Sequence, residues 1–270
     1  MEAKVITLVL PLVAQHDQYV SDVLKRLGDD TSYVSQVVLA RSGLSKRDLE
    51  TYLRWASELS VDSGLKVTVS ALSRHATAGE NRNRGWGYST SRFTAFVDAD
   101  DTYMPGRLGL LLQVAEQFDA SMVLHDHFYS DEAPYPFALS DFDPNSVVGP
   151  SELMAATFPG GRRRHLEGRI PGDTNIELPP GTEGLGRVGH GYAFVKTSLR
   201  DEIQYGLRYP GEDGQFCRDV LWNVGGVYYL PTPLATYRRE LSAEYGASLR
   251  DKLSRRVRAI PELGLEALRR

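Results

Sequence analysis

The chain has 270 residues with 31 Lys and Arg against 35 Asp and Glu, a formal net charge of −4. That balance argues against a protein that coats nucleic acid, and the length is enough to bury a sizeable core. Its single cysteine, Cys217, excludes an internal disulfide and a thiolate metal cluster and suits a reducing compartment.

The chain opens without a signal-peptide layout, and no apolar run reaches membrane-spanning length, so a cytoplasmic location is expected. Val5 to Leu10 is a near-continuous apolar run ending at Pro11, as for a strand buried on both faces. Asp17 to Leu27 reads as a helix, and Val34 to Leu39 as a second strand. Ser45 and Asp48 resemble a capping box, after which Leu49, Tyr52, Leu53, Ala56 and Leu59 recur at helical spacing. Leu65 to Val69 is a third strand. Thr77 with Glu80 opens a helix running to about Thr90. Trp86 and Tyr88 on it read as core rather than as a sugar platform. Phe93 to Val97 is a fourth strand, and Pro105 fits the first turn of a helix whose apolar face is Leu108, Leu111, Leu112, Ala115 and Phe118. Met122-Val123-Leu124 is a fifth strand. This alternation implies a mainly parallel sheet with helices on both faces, which binds ligands beyond the carboxyl ends of its strands.

The pattern loosens from about Ser130 to Val188, a stretch rich in Pro and Gly that fits a functional loop closing over bound ligand, with one short helix from Pro150 to Phe158. Order returns with strand candidates at Tyr192 to Val195 and Val227 to Leu230, separated by a helix from Glu212 to Asn223. The division expected is one domain over residues 1–242 and a basic helical tail over 243–270.

The tetrad Asp98-Ala99-Asp100-Asp101 carries the most chemistry. Three carboxylates at the tip of a buried strand repel one another and resist desolvation, and a divalent cation with its demand for oxygen ligands relieves both problems. A turn-and-cap cluster is the simpler reading of the same residues. Around the tetrad stand Val9-Leu10-Pro11, the helix segment Ala78-Gly79-Glu80-Asn81-Arg82-Asn83-Arg84-Gly85, the pair Pro105 and Arg107, the triplet Gly211-Glu212-Asp213, then Leu230-Pro231 and Tyr237-Arg238. In this order they resemble family 2 of the nucleotide-sugar glycosyltransferases, over roughly residues 4 to 240.

The resemblance implies a GT-A-type, Rossmann-like α/β fold with a long irregular acceptor-side loop and a C-terminal helical tail. It implies metal-dependent, inverting transfer of a sugar from a nucleoside-diphosphate sugar to a glycan, lipid-linked or other hydroxyl acceptor, in glycan or polysaccharide synthesis. By the same resemblance, Asp100 and Asp98 hold Mn2+ or Mg2+, and Asp98 also faces the donor. Asp213 is the catalytic base with Glu212 as its neighbour, although an acidic first turn is also what the helix dipole favours. Pro11, Arg82, Asn83 and Arg238 line the donor.

Two departures are visible. Arg239 and Glu240 follow Arg238, so the histidine of the family's Tyr-Arg-x-His segment is absent. The second strand ends in Ala40-Arg41-Ser42-Gly43 where the family has an acidic pair that reads the donor base, so Arg41 is instead a candidate to meet a phosphate. His127 and His190 are acceptor-side candidates. His125 and His127 also form a His-x-His on one strand face, a weak zinc signal without a cysteine partner. Arg162-Arg163-Arg164 is a solvated run or a clamp on a diphosphate, and the basic tail is a solvated helix or a contact with an anionic membrane. No nucleic-acid partner is expected.

Two other classes compete. Phe96 to Thr102 matches the nucleophile motif of haloacid-dehalogenase-like phosphatases, but three strands precede it here and that motif sits on the first. A non-catalytic nucleotide-sugar-binding module is the other, opposed by the presence of Asp98, Asp100 and Asp213 together.

Overall fold

The computed structural model describes residues 4–129, 146–157, 187–188, 192–207 and 212–238. Residues 243–270, most of the Pro/Gly-rich segment, Arg162 to Arg164, His190 and Gly211 lie outside them, and with them the expectations for a lid, a clamp and a membrane-contacting tail.

The described residues form one nine-stranded sheet in the order β3-β2-β1-β4-β8-β6-β9-β5, with β7 (Arg187–Val188) paired to β6. Its first half is parallel: β1 (Ile6–Leu12) lies between β2 (Val34–Ser42) and β4 (Phe93–Phe96), and β3 (Val67–Leu72) flanks β2. All seven residues of β1 are buried, which is why its sequence is apolar without alternation. The antiparallel strand β8 (Phe194–Lys196) joins β4 to β6 (Met122–Tyr129), and β6 runs parallel to β9 (Val227–Tyr237). The short β5 (Thr102–Tyr103) closes the edge against β9. The sheet is therefore mainly parallel, with antiparallel strands confined to the second half.

Six α-helices are described: α1 (Val20–Arg26), α2 (Lys46–Ser63), α3 (Ala78–Gly87), α4 (Arg107–Gln117), α5 (Pro150–Thr157) and α6 (Glu212–Asn223). Both expected capping residues act as such: Ser45 Oγ accepts from the Asp48 amide and Thr77 Oγ1 from the Glu80 amide. The helix expected from Asp17 instead begins as a 3-10 turn, Ala14–Tyr19. Pro11 sits inside β1 because Val9 directs its carbonyl to the β4 side and the alternate residue Pro11 faces the same way, beyond the last β1–β4 pair, where no amide is needed. Pro105 precedes the α4 cap, Gly106, which takes φ +80°. Helix α3 stops at Gly87, so Tyr88 points outward and is half exposed, while Trp86 is in the core as expected. Strands β2, β6 and β9 run further than their apolar cores suggested. β9 carries Pro231 and Pro233 through an irregular register opposite Asp126 and so reaches the tetrad.

Candidate active site

The strand ends β1, β2 and β4 and the N-terminus of α3 converge on the tetrad. Arg82, on the first turns of α3, is buried and divides its guanidinium between two carboxylates. Its Nη2 donates to both oxygens of Asp98 at 2.8 and 3.0 Å, and its Nη1 donates to Glu212 Oε1 at 3.0 Å. Burial works against the charge of Arg82, yet Asp98 and Glu212 hold it well above its ordinary pKa. Burial raises the pKa of Asp98 and of Glu212 in turn, against the pull of Arg82.

The glycines of the α3 segment explain how this approach is possible. A Cβ on Gly79 would meet Gly206 O at 2.5 Å and Glu212 Cγ at 2.9 Å, and one on Gly85 would collide with Val9. Glycine at these positions lets α3 press against the sheet and against α6. Asn83, expected at the donor, does another job: its Nδ2 donates to Tyr205 O and its Oδ1 accepts from Tyr205 N, both at 2.8 Å. With one bond donated to and one accepted from the backbone of a single residue, this side chain is a clip between α3 and residues 192–207.

The tetrad's three carboxylates have separate environments. Asp101 is buried, accepting from the Tyr192 hydroxyl at 2.5 Å and from the Arg238 amide at 2.9 Å. Burial, reinforced by Asp98 and Asp100, pushes its pKa well above the carboxylate range, although both donors oppose the shift. Asp98 belongs to Arg82. Asp100 makes no side-chain hydrogen bond among the described residues and faces His16 Nε2 across 3.9 Å. Among the described residues, no three His, Cys, Asp or Glu side chains gather around one point. A cation here would take one or two protein ligands and complete its shell with phosphate oxygens and water, as Mg2+ sites on phosphate substrates do. Asp100, open at the strand end and flanked by like charge, fits such a cation.

Asp213 lies in the first turn of α6 and accepts from the Gly214 amide at 2.7 Å. Its charge reaches Asp98, Arg82 and Glu212. Glu212 is 6% exposed and committed to Arg82, so among the described residues Asp213 is the one of the two acidic neighbours not held by an arginine.

Arg41 is 5% exposed, and its Nε donates to both oxygens of Asp17 at 3.0 and 2.9 Å. One terminal nitrogen bonds Ser42 O, and the Tyr52 hydroxyl reaches Asp17 Oδ1 at 3.1 Å. Arg41, the candidate to meet a phosphate, here braces the 3-10 turn after β1. Asn81, unremarked in the sequence, ties two strand ends through Leu12 O and Ser42 Oγ. Pro11 is the penultimate residue of β1, and Arg238 places its guanidinium 5.6 Å from the Tyr19 ring.

The expected His-x-His is not a metal pair. His125 Nε2 accepts from Arg107 Nε at 2.9 Å and its Nδ1 donates to Asp126 O at 2.6 Å. Both nitrogens are used, which fixes a neutral tautomer, and burial with Arg107 beside it drives the pKa well below the usual histidine value. The His127 ring packs edge-on against Tyr192 and Tyr237, with ring centroids 6.0 and 6.1 Å apart.

A mainly parallel α/β sheet with a carboxylate tetrad at the β4 tip, and an acidic helix start linked to it through a buried arginine, defines a protein of the GT-A fold class. The description "Glycosyl transferase family 2" matches residues 13–171, more than half of the chain, and the chain belongs to that family. Among solved structures it is similar to S. aureus TarS 1-349 in complex with UDP-GlcNAc, at 13% identity and a TM-score of 0.56 over 86% of this chain and 58% of that one. It is also similar to glucosyl-3-phosphoglycerate synthase from Mycobacterium tuberculosis in complex with Mn2+, UDP and glucosyl-3-phosphoglycerate, at 17% identity and a TM-score of 0.51 over 89% and 76%. The chain spans 60% of the length of TarS 1-349 and 36% of the longer TarS structure. At these identities the likeness is one of fold. No curated protein matches the chain. Among the described residues, no helix is long and apolar enough to cross a membrane.

Proposed function

We propose that the protein is a metal-dependent, inverting glycosyltransferase that moves a sugar from a nucleoside-diphosphate sugar to an acceptor hydroxyl in glycan or polysaccharide synthesis, in the cytoplasm. The observation that carries this reading is the arrangement of Asp100, Asp98, Arg82, Glu212 and Asp213 as one charged assembly at the carboxyl ends of the strands. Neighbouring structures that hold UDP, UDP-GlcNAc or UDP with Mn2+ on the same fold support it.

Asp100, with Asp98 behind it, would hold Mn2+ or Mg2+, and the cation would supply positive charge to the departing diphosphate. Arg82 and Glu212 fix Asp98 in one orientation, so the donor meets a preorganised site. The acceptor oxygen attacks the anomeric carbon from the face opposite the diphosphate. The bond from that carbon to the phosphate oxygen breaks, and the nucleoside diphosphate leaves with the bonding electrons. The acceptor proton passes to the Asp213 carboxylate. His127 and His190 stand as acceptor-side candidates, and a lipid-linked acceptor would bring the basic tail near a membrane surface.

Asp213→Asn keeps the side-chain shape and removes the base. Transfer should fall about 10²–10⁴-fold, while thermal stabilisation by a nucleoside diphosphate with Mn2+ stays close to wild type. Near-normal transfer in this variant would eliminate Asp213, and a product retaining the donor's anomeric configuration would eliminate the single displacement.

A further inference from the structure

We propose that His16 is a ligand of the divalent cation held by Asp100, so that the protein contributes one imidazole nitrogen and one carboxylate oxygen; this deepens the transferase reading and rests on it. The motif that drew attention to the site contains only carboxylates, and His16 lies more than eighty residues away in sequence, on the 3-10 turn after β1.

The distance is the first ground. His16 Nε2 and Asp100 Oδ2 stand 3.9 Å apart, too far for a hydrogen bond. Imidazole nitrogens and carboxylate oxygens bind divalent ions at about 2.0–2.2 Å, so two donors across one ion can stand up to about 4 Å apart. The gap therefore suits an ion better than it suits direct contact. The two side chains are 19% and 24% exposed, open enough to admit an ion and its phosphate ligands yet held against the protein.

The second ground is rigidity. The residue after His16, Asp17, is clamped by Arg41 and Tyr52. Three residues on, Tyr19 lies under the Arg238 guanidinium, whose own amide binds Asp101. One circuit thus runs from the 3-10 turn through the end of β9 to the tetrad, and it fixes His16 relative to Asp100 from both sides. Precision of this kind is what a metal site requires. The third ground is the commitment of the other carboxylates. Arg82 holds Asp98, and Tyr192 with Arg238 holds Asp101, which leaves His16 as the ligating side chain that faces Asp100.

The test is pulsed electron paramagnetic resonance on Mn2+ bound to the whole chain. UDP, GDP and dTDP are each tried with Mn2+, and the nucleotide that raises the melting temperature is used. Wild-type protein should show spin-echo modulation from a directly bound imidazole nitrogen. His16→Gln should lose that modulation and bind Mn2+ at least about tenfold more weakly, since even the supporting partners of a ligand are worth about 10–100-fold. His16→Asn is the second variant should glutamine disturb the turn. Mn2+ uptake that depends on Asp100, but shows no imidazole nitrogen or keeps it in both His16 variants, would overturn the assignment and leave the metal-dependent donor site standing. No Mn2+ uptake with any of the three nucleotides would overturn both.

Discussion

His125 shows how far a side chain can be from the role its spacing suggests. Its ring stacks on Tyr192 at 5.5 Å, takes a hydrogen bond from Arg107, and gives one to the Asp126 carbonyl. Arg107 also donates to Tyr192 O, and the Tyr192 hydroxyl reaches Asp101. A neutral histidine is thus the keystone of a polar relay ending in the tetrad. Burial, then Arg107 and His127 beside it, hold its pKa well below normal, against the pull of the Asp126 carbonyl. The unfolded chain binds a proton there below about pH 6.5 and the native chain does not, so stability from this site is complete above that pH and is lost as pH falls below it. His125→Gln should cost stability at neutral pH. The gap between wild type and variant should then narrow by about 2 kcal/mol from about pH 6.5 to about pH 5, measured by urea unfolding. Parallel pH profiles for the two proteins would show that His125 does not titrate in this way.

At the scale of elements, α4 is the instructive case. Its cap is Gly106, which has no side chain to offer, and the sequence showed only its apolar face and, through Pro105, its approximate start. The amides of Leu108 and Gly109 are met instead by Asp30, from the 3-10 turn Gly28–Ser32, at 3.1 and 3.2 Å. Asp30 is 3% exposed, and burial raises its pKa while these amides and Arg107 oppose the shift. A cap supplied from almost eighty residues away leaves no local signature. The capping boxes of α2 and α3 were readable because donor and acceptor lie three residues apart. Asp30→Ala should lower the unfolding free energy by about 2 kcal/mol, combining a lost cap with a buried amide left bare. Asp30→Asn, which keeps one acceptor, should cost less. A urea midpoint unchanged in the alanine variant would show that α4 does not depend on this cap. The same contrast governs strand lengths. Apolar runs located β1, β4 and the beginnings of β6 and β9, whereas the later parts of β6 and β9 are set by pairing with each other and carry polar residues and prolines.

Across the whole molecule, the parallel half of the sheet and the half built on β8, β6 and β9 meet through the β4–β8 pairing and, at the site, through α3. Asn83 clips α3 to Tyr205, and Arg82 joins Asp98 at the β4 tip to Glu212 on α6. The family match ends at residue 171, so α6 and β9, which complete the site, lie beyond it. The tetrad, Arg82 and Asp213 were legible because their residue types and order are unusual together. The sharing of Arg82 between two carboxylates, the bracing by Arg41 and the position of His16 depend on which strand ends become neighbours, and spacing does not encode that. If Arg82 holds the halves together by charge, its removal should cost more than its contacts. Arg82→Met strands Asp98 and a nearly buried Glu212 without a counter-charge, and a loss of about 3–5 kcal/mol is expected, as for breaking a buried pair. Glu212→Gln leaves Arg82 still paired with Asp98 and should cost less. The double variant, with one fewer stranded charge, should be more stable than Arg82→Met alone, a compensation that unfolding of the four proteins measures directly. Additive losses would mean that Arg82 and Glu212 contribute separately, and that packing through Gly79 and Asn83 is what holds α3 to the second half.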